Sequence, residues 1–132
     1  MNGQYMSGQC MCGAVEFSVE GDLRPVVNCH CHRCRRWSGH YWAASGAPTE
    51  RVSISDGATL RWFSPADGVE YGFCSTCGSS LFWRNDAHPE LISFSAGCLD
   101  QPTGLTTSHQ LWMAEHGDYH EPLSAPESRE FE

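Results

Sequence analysis

The chain has 132 residues and a formal net charge of -8 at pH 7, a size that corresponds to one domain with one hydrophobic core. All eight basic residues are arginine, since the sequence contains no lysine. An acidic chain without a basic face lacks the charge that dominates nucleic-acid affinity, so nucleic acid is not expected as a partner.

The hydropathy pattern argues against a membrane protein. The mean hydropathy is -0.41, and no stretch approaches the run of about 20 apolar residues that crosses a bilayer. The first ten residues, MNGQYMSGQC, have neither the basic region nor the apolar segment of a secretory signal. A cytoplasmic location without membrane contact is therefore expected.

Short runs of alternating apolar and polar residues, bounded by glycine, proline or aspartate, predict strands along most of the chain. The first run, Ala14 to Glu20, places Val15, Phe17 and Val19 on one face. Further strands are predicted at residues 51–55, 59–63, 69–73, 80–84, 91–96 and 109–114, and one short helix at residues 31–38. The pattern indicates a small all-β domain.

The predicted domain covers residues 1–120, and residues 121–132 form an acidic tail. This tail contains two prolines and four glutamates, and only Leu123 and Phe131 could pack. We expect the tail to fray.

Eight cysteines are grouped as two pairs, one triplet and the single Cys98. Neighbours one or two residues apart are poorly placed to join distant segments, and a reducing cytoplasm disfavours disulfides. Metal ligation explains the grouping better, and zinc is the metal that thiolates most often hold in such pairs.

The two pairs have the same local pattern. Cys10 and Cys12 are followed by Gly13, and Cys74 and Cys77 are followed by Gly78. A glycine at this place allows the positive-φ turn of a zinc knuckle, in which amide groups point at thiolate sulfur. The two knuckles predict one structural zinc ion with four cysteine ligands.

The triplet Cys29, Cys31 and Cys34 has the pattern C-x-C-x-x-C without a terminal glycine. Structural zinc ions usually have four protein ligands, whereas catalytic ones keep three and leave a position for water or substrate. A small thiol would suit that position, because zinc lowers the pKa of a coordinating thiol until it is deprotonated. The triplet therefore predicts a second, exchangeable zinc ion and catalysis at these three residues.

Several residues offer alternative fourth ligands for the second ion. His30 and His32 lie between the triplet cysteines, and Cys98 follows a predicted strand. A remote His109 or Asp100 could also close the site and make it purely structural.

The motifs together resemble the glutathione-dependent formaldehyde-activating enzyme family, which includes centromere protein V-like proteins. The resemblance rests on residues 8–13, residues 29–39 and residues 73–81, with later blocks at residues 96–100 and 109–112. It departs from the family pattern at Gly72, where members often carry arginine, and at Cys98.

The resemblance implies a β-tent of antiparallel sheets, a structural zinc on the two pairs and a second zinc on the triplet. It also implies carbon-sulfur lyase chemistry, in which S-hydroxymethylglutathione gives glutathione and formaldehyde or is formed from them. Glutathione or its aldehyde adduct would then be the small-molecule partner.

Other residues could serve this chemistry. Arg33, Arg35 and Arg36 could hold the carboxylates of a glutathione-like anion, since the guanidinium fork matches a carboxylate, or they could merely compensate thiolate charge. Asp100 and His109 are candidate proton carriers by family position. The alternative function is a non-catalytic zinc scaffold that binds a protein partner, for which a fully ligated second ion would suffice.

Overall fold

The structure is a computed structural model that describes residues 5–122 and 125–131. Its strands form two sheets, with the order β1-β2-β5 in the smaller and β11-β10-β3-β4-β9-β8-β7-β6 in the larger. One helix, α1, joins β3 to β4 and covers His32–Ser38. The strands are β1 Tyr5–Gln9, β2 Glu16–Glu20, β3 Val26–Cys29, β4 Trp42–Pro48, β5 Val52–Ser55, β6 Leu60–Ala66, β7 Val69–Cys74, β8 Ser80–Asn85, β9 Leu91–Ser95, β10 Thr107–Leu111 and β11 Glu127–Ser128.

The prediction of an all-β domain is confirmed, and each of the seven predicted runs overlaps a strand. Pairing is antiparallel except at β10, which runs parallel to both β3 and β11. Parallel neighbours need a long connection, and the chain between β3 and β10 provides one because it forms most of the larger sheet on the way.

Four strands were missed: β1, β3, β4 and β11, the last of which has only two residues. β4 has the sequence WAASGAP, in which alanine, glycine and proline are poor strand formers, and most of its residues are buried whichever face they occupy. β3 is only four residues long and buries the polar Asn28. β1 includes Gly8, whose missing side chain leaves room for the Phe17 ring.

The two sheets pack through the apolar face of β2. Val15, Phe17 and Val19 are all buried, as the alternation predicted. The ring of Phe17 contacts Phe82 of β8 and Phe94 of β9, with centroid distances of 5.1 Å and 5.5 Å. Phe17 therefore joins the smaller sheet to the centre of the larger one.

Gly72 is required by the packing of its neighbour on β6. A Cβ atom at Gly72 would lie 2.9 Å from the ring of Trp62. The guanidinium of Arg84 stacks on the same ring, 3.7 Å from its centroid. Gly72 departs from the family pattern, and at this position the Trp62 ring packs directly on the backbone.

The last described residues run along the edge of the larger sheet. Glu127 and Ser128 pair with β10, and Trp112 donates its backbone N–H to the carbonyl of Phe131 at 3.0 Å. The rings of Trp112 and Phe131 also touch, whereas Leu123 lies outside the described residues. The domain boundary at residue 120 and the fraying of the tail stay predictions.

Among the described residues, no helix has the length and apolar character that a membrane crossing requires.

Replacing Phe17 with alanine tests the contact between the sheets. We expect Phe17→Ala to lower the free energy of unfolding by about 3–5 kcal/mol, because it empties a buried aromatic site. The control Phe63→Ala removes a ring that is 62% exposed and should cost less than about 1 kcal/mol. Urea unfolding of the metal-loaded protein measures both, and equal losses would contradict the assigned role of Phe17.

Candidate metal centres and substrate pocket

The two cysteine pairs converge between the sheets. Cys10 and Cys12 follow β1, and Cys74 and Cys77 surround the turn from β7 to β8. The four sulfur atoms all lie within 4.8 Å of one another, with 3.7 Å between Cys10 and Cys12 and 3.8 Å between Cys12 and Cys74. Four thiols at this spacing fit one tetrahedral zinc ion.

Both turns have the knuckle geometry that their glycines predict. Gly13 has φ 82° and donates its N–H to the carbonyl of Cys10, and Gly78 has φ 81° and donates to the carbonyl of Cys74. A Cβ at Gly78 would meet no atom within 4 Å. The backbone conformation, rather than lack of space, therefore selects glycine there.

Donors around the pairs stabilise thiolates. The backbone N–H of Val15 donates to the sulfur of Cys10 at 3.3 Å. The hydroxyl of Thr59, 3.5 Å away, contributes most to lowering the pKa of Cys74. The hydroxyl of Ser79, 3.2 Å away, lowers the pKa of Cys77 to about 5. Thiolates are the form that binds zinc, so these donors suit a metal site.

The triplet forms a second sulfur cluster where β3 meets α1. The sulfur atoms of Cys29, Cys31 and Cys34 all lie within 4.8 Å of one another. Cys31 is the N-cap of α1, and its sulfur accepts a hydrogen bond from the backbone N–H of Cys34 at 3.4 Å. The extended backbone of Cys31 before the helical Cys34 turns both side chains toward Cys29.

Hydrogen bonds within the triplet favour one thiolate. The thiols of Cys29 and Cys34, together with backbone amides at the start of α1, lower the pKa of Cys31 to about 2. The bond to Cys31 raises the pKa of Cys29 to about 12, and bonds to Cys29 and Cys31 raise that of Cys34 further. The cluster thus favours one thiolate, on Cys31, and its three sulfurs fit a zinc ion by donor type and spacing.

The two histidines within the triplet point to other partners. The Nε2 atom of His30 lies 2.6 Å from Oε1 of Gln110. Oε1 of Glu115 accepts a hydrogen bond from the backbone N–H of His32 at 2.9 Å and lies 3.3 Å from its Nδ1 atom. Neither ring belongs to the sulfur cluster.

The remote candidates for a fourth ligand are also engaged elsewhere. Cys98 directs its sulfur to the carbonyl of Ser80 at 3.7 Å, and His109 lies between Ser108 and Glu127. Asp100 lines a hollow beside β1, β2 and β5. Within residues 5–122 and 125–131, no further cysteine, histidine or carboxylate lies within 4.8 Å of all three triplet sulfurs.

The triplet lies in the wall of a pocket of about 470 Å³, a volume typical of small-molecule sites. The pocket is mostly apolar, and two arginines, Arg24 and Arg33, also line it. Its walls include Val27, Cys29, Cys31, Cys34, Trp42, Val69, Tyr71, Trp83, Leu111 and Trp112. The open coordination position predicted for the triplet would therefore face a cavity that can hold a ligand.

The three arginines expected to bind a ligand separate in the structure. Arg33 lines the pocket, whereas Arg35 donates its Nε–H to the carbonyl of Glu115 at 2.9 Å. Arg36 lines a smaller neighbouring hollow, whose walls share His32, Arg33 and Tyr71 with the pocket, but not the pocket itself. Arg33 is thus the one of the three that the pocket can use.

Arg24 and Tyr71 are among the pocket residues that the sequence analysis missed. Arg24 precedes β3 and donates from Nη2 to the carbonyl of Ala44 at 3.2 Å, at the pocket wall. Tyr71 of β7 is buried beside the triplet, and this burial raises its pKa. Nothing in the local sequence distinguishes Arg24 or Tyr71, because only the order of the strands in the sheet brings these two residues to the pocket.

Serine substitutions in the two sulfur clusters should have different effects. Cys74→Ser should unfold or strongly destabilise the domain, because a structural zinc ion contributes its binding energy to folding. Cys31→Ser should keep the fold and lose one equivalent of zinc. Circular dichroism and zinc analysis after gel filtration measure both effects, and collapse of both variants alike would refute two separate roles.

Comparison with known proteins agrees with this geometry. A family model described as glutathione-dependent formaldehyde-activating enzyme matches residues 5–115. An uncharacterized lyase of Schizosaccharomyces pombe is 26% identical over 88 residues, which cover 65% of this chain and 64% of the relative. A candidate glutathione-dependent formaldehyde-activating enzyme of Halomonas elongata is 32% identical over 103 residues, which cover 72% of this chain and 66% of the relative. The chain spans just under two thirds of the length of these relatives.

A solved structure shares the fold. The crystal structure of a Rhodobacter sphaeroides protein superposes with a TM-score of 0.59 at 26% identity, covering 77% of this chain and 98% of that protein. The residues that match the family model include both cysteine clusters and every residue that lines the pocket. On this evidence, the chain belongs to the glutathione-dependent formaldehyde-activating enzyme family.

Proposed function

We propose that the protein is a zinc-dependent carbon-sulfur lyase that splits, or forms, the adduct of a small thiol and an aldehyde, such as S-hydroxymethylglutathione. One observation carries the proposal: the three thiols of the triplet lie in the wall of a pocket of about 470 Å³. Among the described residues, no fourth ligand joins them. The names of the related proteins, a lyase and a formaldehyde-activating enzyme, support the same reaction class.

The reaction requires neither oxidant nor reductant. The bond between carbon and sulfur breaks and its electron pair stays on sulfur, while the hydroxyl oxygen loses its proton and forms the carbonyl of the aldehyde. When bound at Cys29, Cys31 and Cys34, zinc would supply a Lewis acid that lowers the pKa of the departing thiol. The remaining tasks are to bind the adduct, exclude water and move one proton.

Residues around the pocket can perform these tasks. The apolar side chains of Trp42 and Trp83 form walls that exclude water. Tyr71 lines the pocket, and its hydroxyl, which carries its proton at neutral pH as in any tyrosine, can donate a hydrogen bond to the adduct oxygen. His32 lies at the pocket against the carboxylate of Glu115, which orients its ring to accept the proton.

Two arginines favour a thiol that carries carboxylates. Arg24 and Arg33 both line the pocket, and neither forms an ion pair with a described carboxylate. Guanidinium groups bind carboxylates through paired hydrogen bonds. A glutathione-sized anion fits these charges better than a neutral thiol.

We also infer a cytoplasmic location. All eight cysteines are unbridged, and zinc ligation by thiolates is favoured where thiols are kept reduced.

Exchange between free glutathione with formaldehyde and their adduct tests the activity. We expect the zinc-loaded protein to accelerate this exchange, measured by NMR magnetisation transfer, and Cys31→Ser to lose at least about 100-fold in rate because a ligand is removed. Cys98→Ser is the matched control, since it changes a cysteine outside both clusters, and should keep the rate. An unaltered rate in Cys31→Ser would reject catalysis at the triplet.

X-ray absorption at the zinc edge distinguishes the lyase from the scaffold. An open triplet should show a non-sulfur ligand that glutathione replaces, so the mean number of sulfur neighbours per zinc should rise toward four on addition of the thiol. A scaffold with two closed ions predicts no spectral response to thiols.

Substitution of Arg24 tests recognition of carboxylates. Arg24→Met keeps much of the side-chain volume and removes the charge, so the KM for the glutathione adduct should rise about tenfold. The adduct of an uncharged thiol such as 2-mercaptoethanol should keep its KM. Equal changes for both adducts would show that Arg24 only supports the fold.

A further inference from the structure

A second hollow adjoins the substrate pocket where α1 faces the edge strand β6. It has a volume of about 300 Å³, at the lower limit of small-molecule sites. His32, Arg33 and Tyr71 line both this hollow and the pocket. The remaining walls of the hollow come from α1 and β6. We call this space the outer hollow.

The outer hollow carries positive charge that no neighbouring carboxylate neutralises. Arg33 and Arg36 lie three residues apart on α1, which places them on the same face of the helix. Within the part of the chain that the structure describes, no aspartate or glutamate lines the hollow and neither arginine is ion-paired. Because the chain as a whole has a net charge of -8, two unpaired guanidinium groups at one place favour an anionic ligand.

Apolar surface lies beside these charges. The ring of Phe63 is 62% exposed, and Pro65 follows it on the same strand. On α1, the ring of Trp37 packs edge-on against that of Tyr71, with a centroid distance of 4.8 Å. Aromatic rings bind planar apolar groups by stacking or by edge contact. The outer hollow therefore suits a flat apolar group that carries a negative charge.

Cross-strand pairing connects the outer hollow with Arg24. Five residues pair in succession across the larger sheet, one each from β4, β9, β8, β7 and β6: Gly46, Ser93, Trp83, Tyr71 and Phe63. Directly paired residues share one face of a sheet. A Cβ atom at Gly46 would lie 3.2 Å from the guanidinium carbon of Arg24. Arg24 and the outer hollow thus lie at opposite ends of one row, which passes along the pocket.

The length of this row exceeds that of a small thiol. From Gly46 to Tyr71 the row crosses three strand spacings, or about 14 Å, and Phe63 lies one spacing further. An extended tripeptide measures at most about 11 Å. A thiol of this size whose carboxylate is bound at Arg24 therefore does not reach the outer hollow, which is left for the other half of the adduct.

The groups proposed to handle the proton place the reacting carbon where the two cavities meet. Tyr71 is buried in one cluster with Cys34, and both His32 and Tyr71 line the pocket and the outer hollow. An adduct with its sulfur at the triplet and its hydroxyl oxygen at Tyr71 has its reacting carbon at this junction. The aldehyde substituent on that carbon is then next to the outer hollow.

We infer, on the basis of the proposed lyase activity, that the outer hollow binds the substituent of the aldehyde, and that this aldehyde is an aromatic one with an acid group. Its ring lies against Phe63 and its carboxylate pairs with Arg36. The chemistry is that of the formaldehyde adduct. The bond between carbon and sulfur breaks with its electron pair on sulfur, and the hydroxyl proton ends on that sulfur as the aldehyde carbonyl forms.

Exchange with aldehydes of different charge tests the assignment. The zinc-loaded protein is given glutathione with formaldehyde, with para-carboxybenzaldehyde or with para-formylbenzamide, a neutral aldehyde of the same size, and exchange is followed by NMR magnetisation transfer. We expect kcat/KM for the para-carboxybenzaldehyde adduct to be at least that for the formaldehyde adduct. It should also be about tenfold above that for the amide, because only the acid pairs with Arg36.

Two variants separate the roles of charge and ring. Arg36→Met should abolish the preference for the acid over the amide, and Phe63→Ala should lower kcat/KM for both aromatic adducts about tenfold relative to formaldehyde. Arg129→Met and Tyr5→Ala are the matched controls and should retain the preferences of the parent protein. Arg129 pairs with Glu127 at the opposite edge of the larger sheet. Tyr5 is a 66% exposed ring on β1.

Binding of an inert analogue gives a readout without turnover. The thioether S-(para-carboxybenzyl)glutathione cannot release an aldehyde, and isothermal titration calorimetry gives its Kd. We expect it to bind about tenfold more tightly than S-methylglutathione, because its ring and acid fill the outer hollow. Arg36→Met should remove most of this advantage.

Formaldehyde exchange more than about tenfold faster than exchange of either aromatic aldehyde would overturn the inference and leave the lyase proposal intact. Unchanged preferences in both Arg36→Met and Phe63→Ala, or equal affinity for the two thioethers, would do the same. Absence of exchange with every aldehyde would instead reject the lyase activity on which the inference rests.

Discussion

The meeting of four thiols between the sheets is the constraint on which the rest of the fold depends. Cys10 and Cys12 come from the smaller sheet, and Cys74 and Cys77 from the larger one. Bound zinc would join the sheets at the edge of the core that Phe17 fills, and without the ion four converging thiolates would repel one another. Metal binding and folding are therefore expected to be linked in this small domain.

The second sulfur cluster lies apart from this junction. The triplet lies in a separate apolar cluster with Trp42 and Tyr71, at the start of α1 and in the wall of the pocket. In the proposed function, the fourth coordination position of an ion at the triplet binds the substrate thiol. The proposed division between a closed and an open site agrees with the position of each cluster in the fold.

Local patterns predicted the features that depend on neighbours in sequence. The alternation of Val15, Phe17 and Val19 predicted a half-buried strand, and Gly13 and Gly78 predicted knuckles, because a positive φ is a local property of the backbone. β4 escaped prediction because burial of most of its residues removes alternation. Arg24 and Tyr71 escaped because their neighbours in the pocket come from distant strands.

The sequence by itself determined which cysteines share turn chemistry, and hence how seven thiols divide into a group of four and a group of three. Only the tertiary structure decided that Cys98, His30 and His32 lie outside the triplet, since side-chain direction depends on contacts with Ser80, Gln110 and Glu115. These partners are at least 18 residues away along the chain, a separation at which spacing carries no geometric information. Short motifs therefore predict which cysteines can share one ion, whereas the order of the strands in the sheets determines which side chains surround that site.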